Sequence, residues 1–460
     1  MQADIFRRRR PAPQAQDSWS GPATKTALVL ISFFSNGNFG GGIVPFGEDS
    51  NFQQYVGLAL WIIVAAISAF RRPVLRFDGS AGLIGCVAFY GLAVVSALWS
   101  GSPAASLSKA AALGIIAFSA YRLVLTLDFD EIVESLLHGL AALCLLSLLV
   151  AVLVPSIGVD ATWMHAGAWQ GVFVQKQSLG VCAALLLFFS ASRLIGPFRQ
   201  LWRARNLYYG GAAALAVVCA AASGSRGGGA MAALAVTGIY FARASSTVAK
   251  AMAFFPFAMC LLGAALIAYF VQTGAPVLLL FDTPFDFTER TFIWQHALRY
   301  FWDAPWLGFG INGFWTLPEV KALFIERHRW FLSDYHNGYI GIVTETGMVG
   351  YAVFAASYWF YGRDVRRRVV GEGAASGDFG LALVYTCLMF LINFTELFFM
   401  RSTNVQNTMI IMSFFVAYAW PVRRAQVAAQ FDAETKRRRK MPLAARPRGG
   451  RFESPLRRPA

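Results

Sequence analysis

The sequence predicts an all-α protein that crosses a membrane many times. Hydrophobic residues make up 57% of the 460-residue chain and charged residues only 14%, whereas a soluble domain carries roughly a quarter charged residues. The hydrophobic residues gather into twelve segments, most of them close to the ~20 residues that a helix needs to cross a bilayer. This composition excludes an ordinary soluble globule, a disordered chain and a fibrous protein.

The apolar segments define the predicted organisation of the chain. They lie at about 26–46, 54–70, 79–98, 105–125, 135–154, 172–192, 207–222, 230–242, 251–271, 337–361, 380–399 and 405–421. The first nine therefore occupy 26–271 and the last three 336–421, with a long loop at 272–335 between them. A basic N-terminus at 1–25 and a disordered basic tail at 422–460 are expected to flank the membrane region.

The distribution of positive charge predicts the orientation of the chain. If Arg7–Arg10 are cytoplasmic and each segment crosses once, 31 of the 40 Lys and Arg residues fall on the cytoplasmic side, as the positive-inside rule requires. One missing helix would invert every later connection, so this bias supports twelve crossings. We expect both termini in the cytoplasm and the long loop outside. The net charge of +15 then reflects topology and lipid contact, and nucleic acid is not an expected partner.

The long loop at 272–335 is predicted to be folded, because it is rich in Phe, Trp and Tyr. Amphipathic rings settle at the headgroup level of a membrane, so we expect a lid that rests there. The spacing of apolar residues predicts an amphipathic helix at about 289–301. Pro305 and the glycines of GFGING then end regular structure.

Candidate catalytic residues lie on the outer side, where few charges are needed for topology. Arg226 stands in the small-residue hairpin SGSRGGG, Arg290 in the loop helix, and His336 where the loop enters the tenth helix. Lys176 lies near the outer end of the sixth helix, and Glu345 at membrane depth in the tenth. Guanidinium groups bind phosphate oxygens well, and His exchanges a proton near neutral pH. A snorkelling or purely structural role stays open for each residue.

No motif for nucleotide or metal chemistry is recognisable. The chain has no GxxxxGK[ST] loop, no Asp-x-Asp pair in the long loop and no serine nucleophile elbow, and GFGING lacks the strand that precedes a dinucleotide site. We expect no cofactor and no metal. Cations beneath an aromatic lid are suited to bind a polyprenyl-pyrophosphate sugar. The bond between its sugar and its pyrophosphate is already activated, so the reaction needs no ATP. Arginines would stabilise the leaving pyrophosphate, and a base would take the proton of the acceptor hydroxyl.

Several of these stretches resemble motifs of the O-antigen ligase and polysaccharide polymerase family. The main ones are RTFIWQHALRYFWDAPWLGFGINGFW (290–315) and DYHNGYIGIVTETGMVGY (334–351), with SGSRGG (223–228) and GVFVQKQSLG (171–180) upstream. Twelve helices with one large periplasmic loop between the ninth and tenth is also the plan of that family. Within it, the chain looks most like the exopolysaccharide-production branch found in rhizobia.

The resemblance implies a GT-C-like, metal-independent, inverting glycosyltransferase of the bacterial inner membrane. Arg226 and Arg290 would bind the pyrophosphate of an undecaprenyl-linked glycan donor, and His336 would act as the base or orient the acceptor. Lys176 would add a phosphate contact. Apart from the resemblance, Glu345 is a candidate for substrate binding or for the base, because it is a polar group at membrane depth that needs a partner.

The leading function is a polymerase that joins lipid-linked repeat units into exopolysaccharide. The alternative is a ligase that transfers finished glycan to lipid A-core. A flippase is less favoured, because the candidate residues crowd one face rather than line a path across the membrane. A non-catalytic scaffold is the fourth hypothesis. Expected partners are the donor, a glycan or lipid A-core acceptor, membrane lipids and other polysaccharide export proteins.

Overall fold

The computed structural model describes residues 20–36, 39, 52–70, 80–162, 165–194, 204–244, 246–275, 277–280, 283–285, 287, 290–328, 334–372, 378–402 and 404–418. Most of the predicted basic N-terminus (1–25) and the whole of the predicted tail (422–460) lie outside these residues. The helices are α1 (Ser20–Phe34), α2 (Phe52–Phe70), α3 (Ala81–Val95), α4 (Pro103–Thr126), α5 (Phe129–Leu153), α6 (Pro155–Gly158), α7 (Lys176–Leu194), α8 (Ala204–Ser223), α9 (Arg226–Ala244), α10 (Ser246–Met252), α11 (Phe255–Thr273), α12 (Arg290–Arg299), α13 (Pro318–His328), α14 (Gly338–Glu372), α15 (Asp378–Ile392) and α16 (Val405–Tyr418). Strands β1 (Leu278–Leu280) and β2 (Thr283–Phe285) form one short antiparallel hairpin.

Twelve of these helices are apolar, and they confirm the twelve predicted segments. Seven are long and apolar enough to cross a membrane: α3 with its extension to Leu98, α4, α5, α7, α8, α11 and α14. Five more are shorter apolar helices, at Gly21–Phe34, Gln53–Ala69, Gly227–Tyr240, Gly380–Ile392 and Val405–Tyr418. Each of the twelve overlaps one predicted segment. The protein is an all-α polytopic membrane protein.

Two predicted helices end earlier than expected. The first segment was expected to reach residue 46, but α1 ends at Phe34, and the Ser35 carbonyl accepts a hydrogen bond from the Val405 N–H at 3.1 Å. The eleventh was expected to reach residue 399, but α15 ends at Ile392. There the Asn393 side chain accepts hydrogen bonds from the N–H groups of Phe398 and Phe399, an alternative to the helix that Asn readily offers.

The connections on one side of the bundle contact one another, and we call this side the loop face. It collects the connections that follow α1, α3, α5, α8, α11 and α15. The contacts between them are Phe39 with Phe173, Trp169 N–H with the Ala222 carbonyl, Ser106 Oγ with the Ile311 carbonyl, and Gly338 N–H with the Asn393 carbonyl. Backbone outside helices tolerates membrane depth only where protein covers it, and these contacts supply that cover.

The opposite face carries ion pairs around the start of α5. Asp130 and Glu131 stand in the first turn of this helix, where the helix dipole favours negative charge. Lys25 lies 3.1 Å from Glu131, Arg193 lies 2.6 Å from Asp130, and Arg205 lies 3.2 Å from Glu134. The sequence places all three cations on the cytoplasmic side, and the structure brings them to one face. Which face meets the cytoplasm stays a prediction.

Helix α14 is interrupted at Gly347, whose φ is 65° and ψ −172°. The turn at 305–309, in the long loop, docks into this interruption. Three backbone hydrogen bonds join the two segments: Met348 N–H to the Pro305 carbonyl (2.8 Å), Val349 N–H to the Trp306 carbonyl (3.1 Å) and Phe309 N–H to the Thr344 carbonyl (3.0 Å). We call this contact the loop–helix joint. The sequence predicts only that regular structure ends at this turn. In the structure, the turn packs into the helix bundle.

Glycine is required on both sides of the loop–helix joint. A Cβ atom at Gly347 would lie 2.2 Å from the Trp306 carbonyl oxygen, and one at Gly308 would lie 2.6 Å from the Thr344 carbonyl oxygen. Both residues also have positive φ, 65° and 66°, which other residues rarely adopt. Backbone meets backbone here with no room for side chains.

Substituting Gly347 should therefore unfold the joint. We expect Gly347→Ala to lose at least ~3 kcal/mol of stability, because its backbone conformation is open almost only to glycine and its methyl group clashes. Gly114→Ala is the matched control in an exposed part of α4, where a Cβ atom meets nothing within 4 Å. It should gain about 0.5–1 kcal/mol from helix propensity. Thermal midpoints of the two detergent-purified variants test this. Equal midpoints would contradict the joint.

Candidate functional site

Arg290 and His336 meet at one carboxylate, that of Glu396. Arg290 Nη2 donates to Glu396 Oε1 at 2.9 Å, and His336 Nδ1 lies 3.9 Å from Glu396 Oε2. The three side chains are 20–29% exposed, so the group is sheltered but open to a ligand. We call it the Arg–Glu–His cluster. It connects the start of α12, the residues before α14 and the turn after α15.

The residues around His336 form the cap of α14. The Asn337 side chain accepts hydrogen bonds from the N–H groups of Tyr339 (3.0 Å) and Ile340 (3.1 Å), as Asn does at helix N-caps. His336 precedes it with φ at 46°, and its N–H donates to Asp334 Oδ1 at 2.9 Å. A non-glycine residue with positive φ is strained, and such strain persists where the surroundings fix the residue. The cap therefore fixes the backbone from which the imidazole extends.

A second ion pair ties the same segments together. Arg401, after α15, pairs with Asp334. Burial, the largest influence, would raise the pKa of Asp334, but the attraction of Arg401 and of His336 outweighs it, so the pKa lies below its ordinary value. Asp334 therefore stays charged at neutral pH. The Arg401 carbonyl accepts from Asn407 Nδ2 at 2.9 Å, which anchors this turn on α16.

Helix α12 confirms the helix predicted at about 289–301, and it lies inside the fold, while its depth at the headgroup level stays a prediction. Six of its ten residues are buried. The Trp294 ring packs on Phe270 of α11 with ring centroids 5.9 Å apart, and its Nε1 donates to the Tyr335 carbonyl at 3.1 Å. The ring of His296 stacks on that of Trp315, with centroids 6.1 Å apart. The aromatic residues form a small core of the long loop. This core fixes the position of α12, so that Arg290 at its start lies beside Glu396.

Glu345 pairs with Lys109 rather than with the cluster. Lys109 Nζ, on α4, lies 3.5 Å from Glu345 Oε2, and their side chains are 18% and 6% exposed. Removing either of two such weakly hydrated charges would leave the other buried without a partner, which is energetically costly. Glu345 also lies two residues before Gly347, so the pair fixes α4 beside the loop–helix joint. Its part in substrate binding stays a prediction.

Lys176 and Arg226 begin two neighbouring helices at the loop face. Helices α7 and α9 touch there, because a Cβ atom at Gly228 would lie 2.6 Å from the Gly180 carbonyl oxygen. Lys176 lies near Asp160: burial would raise the pKa of Asp160, but hydrogen bonds from Thr162 and the attraction of Lys176 lower it. The side chain of Arg226 lies outside the described atoms.

Helix α9 also packs on α15, the helix that precedes Glu396. A Cβ atom at its Gly238 would lie 2.9 Å from Val384 Cγ1 on α15, and α15 runs from there to the turn that carries Glu396. Both groups of candidate residues therefore belong to the same face of the same packed helices. As for metal binding, the described part of the chain contains no group of three or more His, Cys, Asp or Glu side chains that could hold an ion.

Comparison with known proteins finds two similarities. Residues 211–355 match the family model described as O-antigen ligase, a range that includes Arg226, Arg290 and His336. About a third of the chain is therefore similar to the O-antigen ligase family. The chain is also 26% identical over 314 residues to the exopolysaccharide production protein ExoQ of Rhizobium meliloti (strain 1021), an alignment that covers 66% of this chain and 68% of that protein. The predicted resemblance to this family and to its exopolysaccharide branch is confirmed.

Two charged residues near the cluster were not selected from the sequence. Glu396 was noted only as a polar group at membrane depth, and Arg401 only as one of the outer cations. Both follow the family-matched range, in the turn between α15 and α16. The sequence feature that could have identified them is their charge, because a charged residue near an apolar segment needs a partner. The sequence does not name those partners.

The Lys109–Glu345 pair should behave as one unit. Lys109→Met leaves a buried carboxylate without its cation and should cost about 3–5 kcal/mol, whereas Lys109→Met with Glu345→Met should recover most of this loss. Thermal midpoints of the two single variants and the double variant form the test. Additive losses in the double variant would contradict the pair.

Proposed function

We propose that this protein is a membrane glycosyltransferase that polymerises undecaprenyl-pyrophosphate-linked oligosaccharide repeat units into exopolysaccharide at the periplasmic face. The Arg–Glu–His cluster carries the proposal, because it presents a guanidinium and an imidazole side by side at a partly exposed position. The similarity to an exopolysaccharide production protein supports the product class. The family match supports the general chemistry.

Arg290 is proposed to hold the donor pyrophosphate. A guanidinium has five N–H donors in a fork that matches phosphate oxygens, and Glu396 occupies Nη2. The remaining donors would face the phosphate. As the bond between the sugar C1 and the phosphate oxygen breaks, negative charge grows on the leaving pyrophosphate, and the guanidinium stabilises it. No metal is needed in this scheme.

His336 is proposed to accept the proton of the attacking hydroxyl. Glu396 lies on the Nδ1 side of the ring, so Nε2 would face the acceptor. The hydroxyl oxygen would bond to C1 from the side opposite the pyrophosphate, which inverts the sugar, while its proton passes to Nε2. The Glu396 carboxylate would stabilise the imidazolium that forms, as a carboxylate does in other His-based sites.

The other predicted site residues receive supporting roles. Arg226 and Lys176 begin α9 and α7 at the loop face, where helix N-termini favour anions, and we propose that they add phosphate contacts. Glu345 is bound to Lys109. We propose that it acts on substrate binding by holding α14 and the loop–helix joint in place.

A ligase that transfers lipid-linked glycan to lipid A-core is the alternative, and the description of the matched family favours it. The two functions share donor chemistry and differ in the acceptor. A flippase or a scaffold among other polysaccharide export proteins would not need the cluster. In each case we propose that the protein lies in the bacterial inner membrane, with both termini in the cytoplasm and the loop face in the periplasm.

Variants of the cluster should separate an enzyme from a scaffold. In a deletion strain complemented with each variant, we expect Arg290→Lys to lower polymer output about 10²–10³-fold, the usual loss when a transition-state donor is misplaced. His336→Ala should lower it about 10²–10⁴-fold. Arg299→Ala is the matched control, because Arg299 is an exposed arginine at the far end of α12, and polymer should be unchanged. Normal polymer from both cluster variants at normal protein levels would contradict catalysis.

The glycan profile of the deletion strain separates the remaining hypotheses. Single repeat units held on lipid at the outer face, without long polymer, support the polymerase. Long polymer that is not attached to lipid A-core supports the ligase instead. Repeat units trapped on the cytoplasmic side indicate a flippase and contradict the proposed active site.

Reporter fusions should establish which face is periplasmic. Alkaline phosphatase fused after Thr273, at the start of the long loop, should be active, because the enzyme matures only outside the cytoplasm. The same reporter fused after Met252, between α9 and α11 on the opposite face, should be inactive. The reverse pattern would contradict the orientation.

A further inference from the structure

A polar cavity of about 580 Å³ opens on the face opposite the proposed active site. Helices α1 and α8 both pack on α5, and the cavity lies between them over one side of α5. Eight residues line it: Lys25, Thr26 and Val29 of α1; Glu131, Glu134, Ser135 and His138 of α5; and Arg205 of α8. None of these residues has a role in the proposed reaction.

The charges that line this cavity alternate in sign and cancel. Lys25 pairs with Glu131, and Arg205 pairs with Glu134. A simple anion in the cavity would meet two carboxylates, and a simple cation would meet a lysine and an arginine, so each would be repelled as well as attracted. A zwitterion whose charges lie close together can satisfy both pairs.

Below the cavity, α5 exposes an apolar stripe along the membrane span. His138, Ala142, Leu145 and Leu149 follow the spacing of one helix face, and Leu145 and Leu149 are 50% and 41% exposed. Tyr208 of α8 borders the stripe, because its hydroxyl lies 2.7 Å from His138 Nδ1. The groove is charged at the end of the helices and apolar toward the bilayer centre.

We propose that this cavity and stripe bind a phospholipid with a primary ammonium headgroup, of the phosphatidylethanolamine type. Its ammonium would donate hydrogen bonds to Glu131 and Glu134, and its phosphate would accept them from Lys25 and Arg205. Each lining ion pair then exchanges one partner for another, so no charge is left unpaired. One acyl chain lies along the α5 stripe. A choline headgroup has no N–H to donate, and a glycerol headgroup has no cation.

The test measures the thermal midpoint of the purified full-length protein with three added lipids of identical acyl chains. A ligand that binds only the folded state raises the midpoint, and phosphatidylethanolamine should raise it more than phosphatidylcholine or phosphatidylglycerol. Glu134→Gln, which keeps the size of the side chain, should weaken the phosphatidylethanolamine response roughly tenfold or more in lipid concentration. Asp130→Asn is the matched control: Asp130 lies one turn away on α5 and pairs with Arg193, outside the cavity lining, so its response should be unchanged.

Three outcomes overturn the proposal: equal responses to the three lipids, a larger response to phosphatidylglycerol, or a Glu134→Gln variant that keeps its preference. Native mass spectrometry of the unaltered protein gives an independent readout if Glu134→Gln fails to fold, and it should show retained phosphatidylethanolamine. Deleting residues 2–19 tests whether the chain fills its own cavity. An unchanged lipid response in that variant supports the proposal, and a response that appears only after deletion overturns it.

Discussion

The loop–helix joint is the contact on which the arrangement of the loop face depends. An interruption such as Gly347 leaves peptide groups of α14 without partners inside the helix, and unpaired backbone groups are costly at membrane depth. The turn at 305–309 supplies those partners with its own backbone. The hydrogen bonds that complete α14 at its interruption therefore also fix the position of the long loop. Arg290 lies earlier in that loop and His336 at its end, so both depend on the same joint.

Charge pairing explains how the site keeps several cations ready near the membrane. Arg290, Arg401 and Lys109 each face one carboxylate: Glu396, Asp334 and Glu345. A buried charge without a partner would cost several kcal/mol, so each pair holds its cation in a defined position. Preorganised charge is effective in catalysis because it needs no rearrangement during the reaction. In the proposed reaction, a pyrophosphate would bind the donors of Arg290 that Glu396 leaves open, so the carboxylate would stay beside His336.

The sequence predicted the twelve apolar helices because hydropathy is a strong local signal, and motif resemblance selected Arg290 and His336. It did not predict that Glu396 joins them, because 106 residues separate Arg290 from Glu396 and no periodicity spans that distance. It also did not predict that α12 packs inside the fold, since the aromatic content of a segment does not distinguish rings that face lipid from rings that pack on one another. Trp294 is buried because its indole N–H finds the Tyr335 carbonyl, a partner that only the fold supplies.

The depth of the Arg–Glu–His cluster favours an enzyme over a transporter. Arg290 begins α12, His336 stands just before α14, and Glu396 follows α15, so all three lie at helix ends. A donor whose polyprenyl chain remains in the hydrocarbon can bring its pyrophosphate only to that level. A flippase must instead attract the headgroup along a path between the two faces. In the described part of the chain, one charged pair at the loop face lies farther into the span, namely Lys109–Glu345. Its ammonium and its buried carboxylate neutralise one another. The pair therefore does not provide a binding path for an anion across the membrane.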